Sequence, residues 1–213
     1  NRRLITLDPL SPEPSLAVTT VNHEKLRVRL FDVDVDDWDS YVNYSDRQWD
    51  YDQTPPLPAW TEVVDTTIDT DADDNEVTET TIELGEALQG NPGHVIVLIE
   101  PTGRFAELTP NDNDFWSNRP TIVWAQSTTV GADAFDDNDE LVLWATDLRS
   151  GQPLANVDIA FAKSGGSATT NSDGLARMDL PIAETGHLIA RLDNDTAIID
   201  SSWEGSTPFD QSV

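Results

Sequence analysis

Cysteine is absent from this chain, so neither a disulfide nor thiol chemistry is available to it. That absence identifies no compartment, since envelope proteins often lack cysteine as well. Basic residues are scarce: 12 Lys and Arg stand against 40 Asp and Glu, for a formal charge of -28. Such a deficit weighs against nucleic acid, whose phosphates are met by Lys and Arg. It also opposes docking to an anionic membrane surface. No apolar run is long enough to span a bilayer, and no signal-like segment follows Asn1. This fits a piece cut from a larger secreted chain, which would have left any such segment behind. Gly-x-Ser-x-Gly, His-Glu-x-x-His and a phosphate-cradling glycine loop are all missing. Paired carboxylates are too common in this composition for any one pair to mark an acid and a base. No enzyme, cofactor, catalytic residue or metal ligand is therefore expected.

What is present is β-pattern. Leu141–Leu148 is an apolar, β-prone run, broken by Ser150-Gly151-Gln152-Pro153. Val157, Ile159 and Phe161 alternate with smaller or polar residues, as in a half-buried strand. Gly165-Gly166-Ser167 reads as a hairpin tip. Asn171-Ser172-Asp173-Gly174 reads as a turn, since Asp and Gly tolerate the backbone angles required. Ala176, Met178 and Leu180 alternate next, and Gly186–Leu192 supplies a further strand. Short strands separated by turn signals predict an antiparallel sandwich.

Part of this pattern occurs twice. Gly93–Glu100 matches Gly186–Asp193 in character, position by position. Upstream, Thr80–Leu84 parallels Arg177–Leu180, with Ala87 and Ala183 following. A repeat of roughly one hundred residues is the size of a domain, which predicts a tandem rather than a solenoid. Each copy is expected to open with a strand, Ser15–Val21 and Thr121–Gln126.

The second copy is similar in wording to a known family. A strand ending Thr146-Asp147-Leu148, a Gly151-Gln152-Pro153-Leu154 turn, Asn156–Phe161 and Asn171–Arg177 resemble a macroglobulin-like domain of the bacterial alpha-2-macroglobulins. Val21–Phe31, followed by Asp37-Trp38, resembles the domain that precedes it in those proteins. The resemblance spans residues 14–200. It implies an all-β fold of two tandem antiparallel β-sandwiches, of immunoglobulin or fibronectin-III-like macroglobulin type. It also implies a non-catalytic scaffold role in a protease trap, where target endopeptidases cut a bait region and are enclosed, often with help from a Cys–Gln thioester. Neighbouring macroglobulin domains would be the partners, and the extracellular space or cell envelope the location. The open alternatives are a cell-surface adhesion or stalk module and a carbohydrate-binding module.

On this reading residues 1–13 form an extended leader, 14–117 the first sandwich and 118–213 the second with a C-terminal tail. Asp36-Asp37-Trp38 should start a short helix, with Trp38, Tyr41 and Val42 at helical spacing. Leu26, Val28 and Leu30 alternate with Arg27 and Arg29, a strand with one wet face. Trp49–Trp60 reads as a loop, 61–84 as a hairpin with an acidic tip, and Phe105–Pro120 as the inter-domain connection. Asp69–Glu76 has the carboxylate density of a calcium loop, yet Asp74 and Thr80 stand where that template needs Gly and Glu. It and Asp136–Glu140 are expected to be solvated turns. His94 and His187, each between a Gly and a strand, should share a structural task, and His23 is the remaining histidine. Trp124 and Trp144 are expected in the core, Trp38 on the helix, and Trp49, Trp60, Trp116 and Trp203 across domain seams.

Overall fold

In a computed structural model, the described residues are 4–48, 55–71, 74–88, 91–109, 111–137, 140–163, 165–179 and 186–200. They are mostly β and divide between two units, Asn1–Ser127 and Thr128–Val213. No helix among them is long and apolar enough to cross a membrane.

The first unit contains β1 (Leu4–Leu7), β2 (Ser15–Val21), β3 (Lys25–Val33), α1 (Trp38–Arg47), β4 (Thr61–Asp69), β5 (Val77–Glu83), α2 (Gly85–Leu88), β6 (Gly93–Pro101) and β7 (Thr121–Ser127). One five-stranded sheet runs β1-β7-β6-β3-β4, and β2 pairs with β5 in a separate two-stranded sheet. The run Val95-Ile96-Val97-Leu98-Ile99 is buried throughout because β6 lies between β3 and β7 and both its faces are covered. On one face Leu26, Val28, Leu30, Val97 and Val123 pack with Ile82, Leu84 and Leu88, and Leu16 and Val18 lie against this cluster. On the other face α1 brings Trp38, Tyr41 and Tyr44 against Phe31, Trp60 and Trp124.

The expected helix starts where the carboxylates are. The Asp34 side chain accepts the Asp36 N–H at 2.8 Å, and Asp37 accepts the Asp34 N–H at 3.2 Å, a reciprocal cap on the short 3-10 turn Val35–Asp37 that leads into α1. Burial of Trp38, Tyr41 and Tyr44 at three-residue spacing then pins one helix face to the sheet. The wet face of β3 is also as expected. Lys25 pairs with Asp69 at 3.0 Å, Arg27 with Asp65 at 2.7 Å, and Arg29 with Glu62, so the charged edge strand β4 neutralises its neighbour. Exposed pairs of this kind contribute little stability, but charges along β4 blunt an edge open to further strand pairing.

The second unit contains β8 (Val130–Asp137), β9 (Glu140–Asp147), β10 (Asp158–Phe161), β11 (Ser167–Thr169), β12 (Leu175–Asp179), β13 (Leu188–Leu192) and β14 (Asp195–Ile199). They form sheets ordered β12-β9-β8 and β11-β10-β13-β14. Leu141, Leu143, Ala145, Ala176 and Met178 from the first sheet meet Val157, Ile159, Phe161, Leu188 and Ala190 from the second in one cluster. This is the sandwich that the alternation predicted. The Asn171–Gly174 turn is built as its residues demand: Asn171 Oδ1 accepts the N–H groups of Asp173 and Leu175 at 2.9 and 3.0 Å. Gly174 has φ +74°, and a Cβ there would collide with the carbonyl of Ala145.

Several expectations are corrected. Within residues 1–13, Leu4–Leu7 is not a leader but a parallel edge strand on β7, with Leu4 opposite Trp124 and Leu7 opposite Ser127. Thr121–Ser127 does not open the second unit. It is antiparallel to β6 in the first, so the division falls at Ser127/Thr128 rather than at 117/118, and Phe105–Pro120 is an internal loop. Residues 61–84 are not a hairpin: β4 pairs with β3 and β5 with β2, and the acidic segment joins two different sheets. Trp144 is 42% exposed rather than core, because it shares the outer phase of β9 with Val142. Trp60 is buried inside the first unit, against Phe31 and Tyr44. Trp49, Leu180, Ala183, Trp203 and the 201–213 tail lie outside the described residues.

Candidate functional site

The sequence marked no site, and the described residues of the first unit form a cleft. Its wall is one edge of β2. Val18, Thr19, Thr20 and Val21 border it consecutively, while no β5 residue does, so the cleft lies along the β2 edge opposite β5. Asn22, in the left-handed conformation at φ 60°, turns the chain toward β3 and places His23 at the end of this edge. Asn22 also grips the acidic segment, its Oδ1 accepting the Asn75 N–H at 2.6 Å. The facing wall comes from the loop after β6, where Gly103, at φ +57°, permits the turn that presents Arg104 and Phe105. Ser117, Asn118 and Arg119 complete it, over a floor of Leu26 and Ile99. The cleft holds about 490 Å³. A second hollow of about 550 Å³ shares Asn22, His23, Arg104 and Phe105 with it.

Aromatic contacts order the polar groups. The His23 ring lies 4.4 Å from that of Phe105, and the Arg104 guanidinium sits 4.6 Å over the same Phe105 ring. Arg119 lies over Trp116 at 5.0 Å and Phe115 at 5.5 Å. Asn118 donates to the Asp114 carbonyl at 2.8 Å, closing the loop on itself. Partial burial of His23 lowers its pKa, a hydrogen bond with Asn118 works against this, and the nearby Arg104 adds to the lowering. The imidazole is thus biased toward its neutral form. Lys25, Arg27 and Arg29 all have carboxylate partners, whereas among the described residues Arg104 has none. Two further groups are unsatisfied: His23 Nδ1 and Thr20 Oγ1 are buried without a hydrogen-bond partner.

The remaining residues singled out in the sequence lie apart from this cleft. His94 is buried in β6, and its Nδ1 accepts the indole N–H of Trp124 at 3.1 Å. His187 is buried just before β13, and its carbonyl accepts the Ala162 N–H at 3.2 Å. Asp69 is occupied by Lys25, and Asp74 reaches only the second hollow. Among the described residues no group of three or more His, Asp or Glu is placed to hold a metal ion. Sequence reasoning missed Arg104, Phe105 and Asn118 as partners of His23, and Arg119 as a further residue of the same cleft. The available signal was two arginines bracketing an aromatic loop in a chain otherwise short of them.

No protein-family model and no curated protein matches the sequence. Solved structures do. Native alpha-2-macroglobulin from Escherichia coli spanning domains NIE-MG1 is similar at TM-score 0.70 and 16% identity, over 93% of each chain. The piece of that protein spanning MG0-NIE-MG1 is similar at TM-score 0.63 and 18% identity, over 87% of this chain and 58% of that one. Salmonella alpha-2-macroglobulin reacted with methylamine is similar at TM-score 0.58 and 18% identity, over 91% of this chain. The present chain spans only 11% of the length of that last structure. At these identities the likeness establishes the fold, and nearly the whole chain has the fold of bacterial alpha-2-macroglobulin domains.

Proposed function

We propose that this chain is a non-catalytic scaffold segment of an alpha-2-macroglobulin-like protease trap, located outside the cytoplasm. The observation that carries the reading is the end-to-end match to the NIE-MG1 piece, 93% of each chain, across both units rather than across one common sandwich. The chemistry of the residues is compatible with it. With no cysteine the chain holds no thioester, and its two hydrophobic clusters close separate cores suited to rigid modules. Proteases would then be met through other parts of a longer protein, and neighbouring macroglobulin domains would be its direct partners.

The test is incubation with elastase or trypsin, followed by residual activity on a protein substrate and a denaturing gel. The scaffold reading expects full protease activity and no protease-linked band. Stoichiometric loss of activity, or a band surviving denaturation, would show that this segment is itself the inhibitor.

One observation favours the carbohydrate-binding alternative. Trp144 and Phe135 are both exposed on the outer face of the β12-β9-β8 sheet, beside Leu175. Exposed rings on a flat sheet can stack on sugars. Titration with cello- and chito-oligosaccharides, followed by tryptophan emission, decides it: saturable quenching lost in Trp144→Ala supports a sugar platform, and an unchanged spectrum removes it.

A further inference from the structure

A strand edge is a row of backbone N–H and C=O groups, and a second chain can complete it. Here β2 is paired with β5 on one side only, and its opposite edge borders the cleft over four consecutive residues, Val18–Val21. Such a stretch is about 13 Å long in extended form, enough for a short peptide to lie alongside. Val21 is 44% exposed at its end, offering apolar contact.

Three polar observations converge on that edge. Thr20 Oγ1 and His23 Nδ1 are buried without partners, and unsatisfied buried polar atoms call for a ligand or ordered water. Arg104 stands over Phe105 with no carboxylate among the described residues, in a chain of charge -28 where nearby cations are neutralised. Asp114 lines the same cleft and makes no ion pair with Arg104.

We infer that the cleft between the open edge of β2 and the Gly103–Phe105 and Ser117–Arg119 segments binds an extended, acidic peptide segment of a second polypeptide. The segment adds to the β2 edge by main-chain hydrogen bonds, and a carboxylate side chain meets Arg104. Main-chain pairing supplies affinity of general kind, and the charge-assisted contact supplies the preference for acid. This goes beyond the scaffold reading and does not depend on it: a segment that traps nothing can still carry a docking site.

The test uses the 213-residue chain, labelled with ¹⁵N, and six-residue peptides alternating valine and threonine, acetylated and amidated, with a central glutamate, glutamine or lysine. The glutamate peptide should give saturable amide shifts confined to Val18–His23, Gly103–Phe105 and Ser117–Arg119. The glutamine peptide should bind about tenfold more weakly, as loss of one charge-assisted contact implies, and the lysine peptide more weakly still. In Arg104→Gln the glutamate preference should vanish while the glutamine peptide still binds, which also shows that the variant is folded. The inference is overturned if the glutamate peptide fails to bind at millimolar concentration, or if its shifts map elsewhere. It is equally overturned if the preference survives in Arg104→Gln, or if acetate alone saturates the same shifts at the same concentration. A removal of residues 201–213 that is required before the peptide binds would assign the cleft to the chain's own segment instead of a partner's.

Discussion

The indole N–H of Trp124 donates to Nδ1 of His94 at 3.1 Å, between two adjacent strands and out of contact with solvent. An accepting Nδ1 carries no proton, so a neutral His94 holds its proton on Nε2. The same indole packs edge-on against Trp38 at 5.2 Å and Tyr41 at 5.5 Å, so a single side chain joins the sheet, the histidine and α1.

Trp124→Phe should therefore lower unfolding free energy by about 2–3 kcal/mol, the sum of an orphaned buried acceptor and lost packing. Trp144→Phe, at an exposed position of a similar apolar run, should change it by no more than about 0.5 kcal/mol. Urea denaturation of the two variants makes the comparison, and equal losses would refute this account of the fold.

His23 gives a pH dependence whose sign is set. Its pKa is lowered by folding, so between that lowered value and the ordinary value near 6.5 the unfolded chain binds more protons. Stability contributed by this residue is complete above the unfolded value and declines as pH falls through the folded one. Subtracting the stability of His23→Gln from that of the native chain at each pH should give a difference that decreases from pH 7 toward 5. A difference that is flat or rises on acidification would contradict the burial described for His23.

Gly174 and Gly151 separate two costs. Both have positive φ, +74° and +68°, but only Gly174 lacks room for a Cβ, since nothing lies near that position at Gly151. Gly151→Ala should cost about 1–2 kcal/mol, the left-handed penalty alone. Gly174→Ala must also push back the Ala145 carbonyl, whose own N–H is bonded to the Gly174 carbonyl at 2.8 Å, so its loss should be clearly larger. Thermal melts of both variants check the order.

A charge of -28 opposes compaction through self-repulsion, which salt screens. The melting temperature should rise as NaCl is raised from about 0.01 M to 0.1 M, over which the screening length falls from about 30 Å to 10 Å. Calcium at matched ionic strength should act as magnesium does. A saturable calcium step at micromolar concentration would instead mark the Asp69–Glu76 segment as a specific site.

Legibility differed between the two units for a physical reason. In the second, strands buried on one face alternate cleanly, so Val157, Ile159 and Phe161 announce their sheet and Asn171–Gly174 its turn. In the first, the sheet is covered on both faces, alternation is lost in β6 and β7, and Thr121–Ser127 reads as an opening strand with nothing local to say which neighbours it joins. The candidate cleft was hidden for a related reason. His23 and Arg104 are far apart in sequence, and neither is unusual in its own segment.

The sequence by itself determined what is local: the acidic turn that leads into α1 and the aromatic face of that helix, the inward phase of β3, the glycine and asparagine turns, and a strongly acidic composition. Tertiary structure alone decided partnership. It set Leu4–Leu7 parallel to Thr121–Ser127, sent β4 and β5 to different sheets, exposed Trp144 while burying Trp124, and brought the Arg104 loop to the open edge of β2. Period and propensity specify which face of a strand is apolar, but the choice of neighbour rests on long-range packing of both faces, which no short window of residues contains.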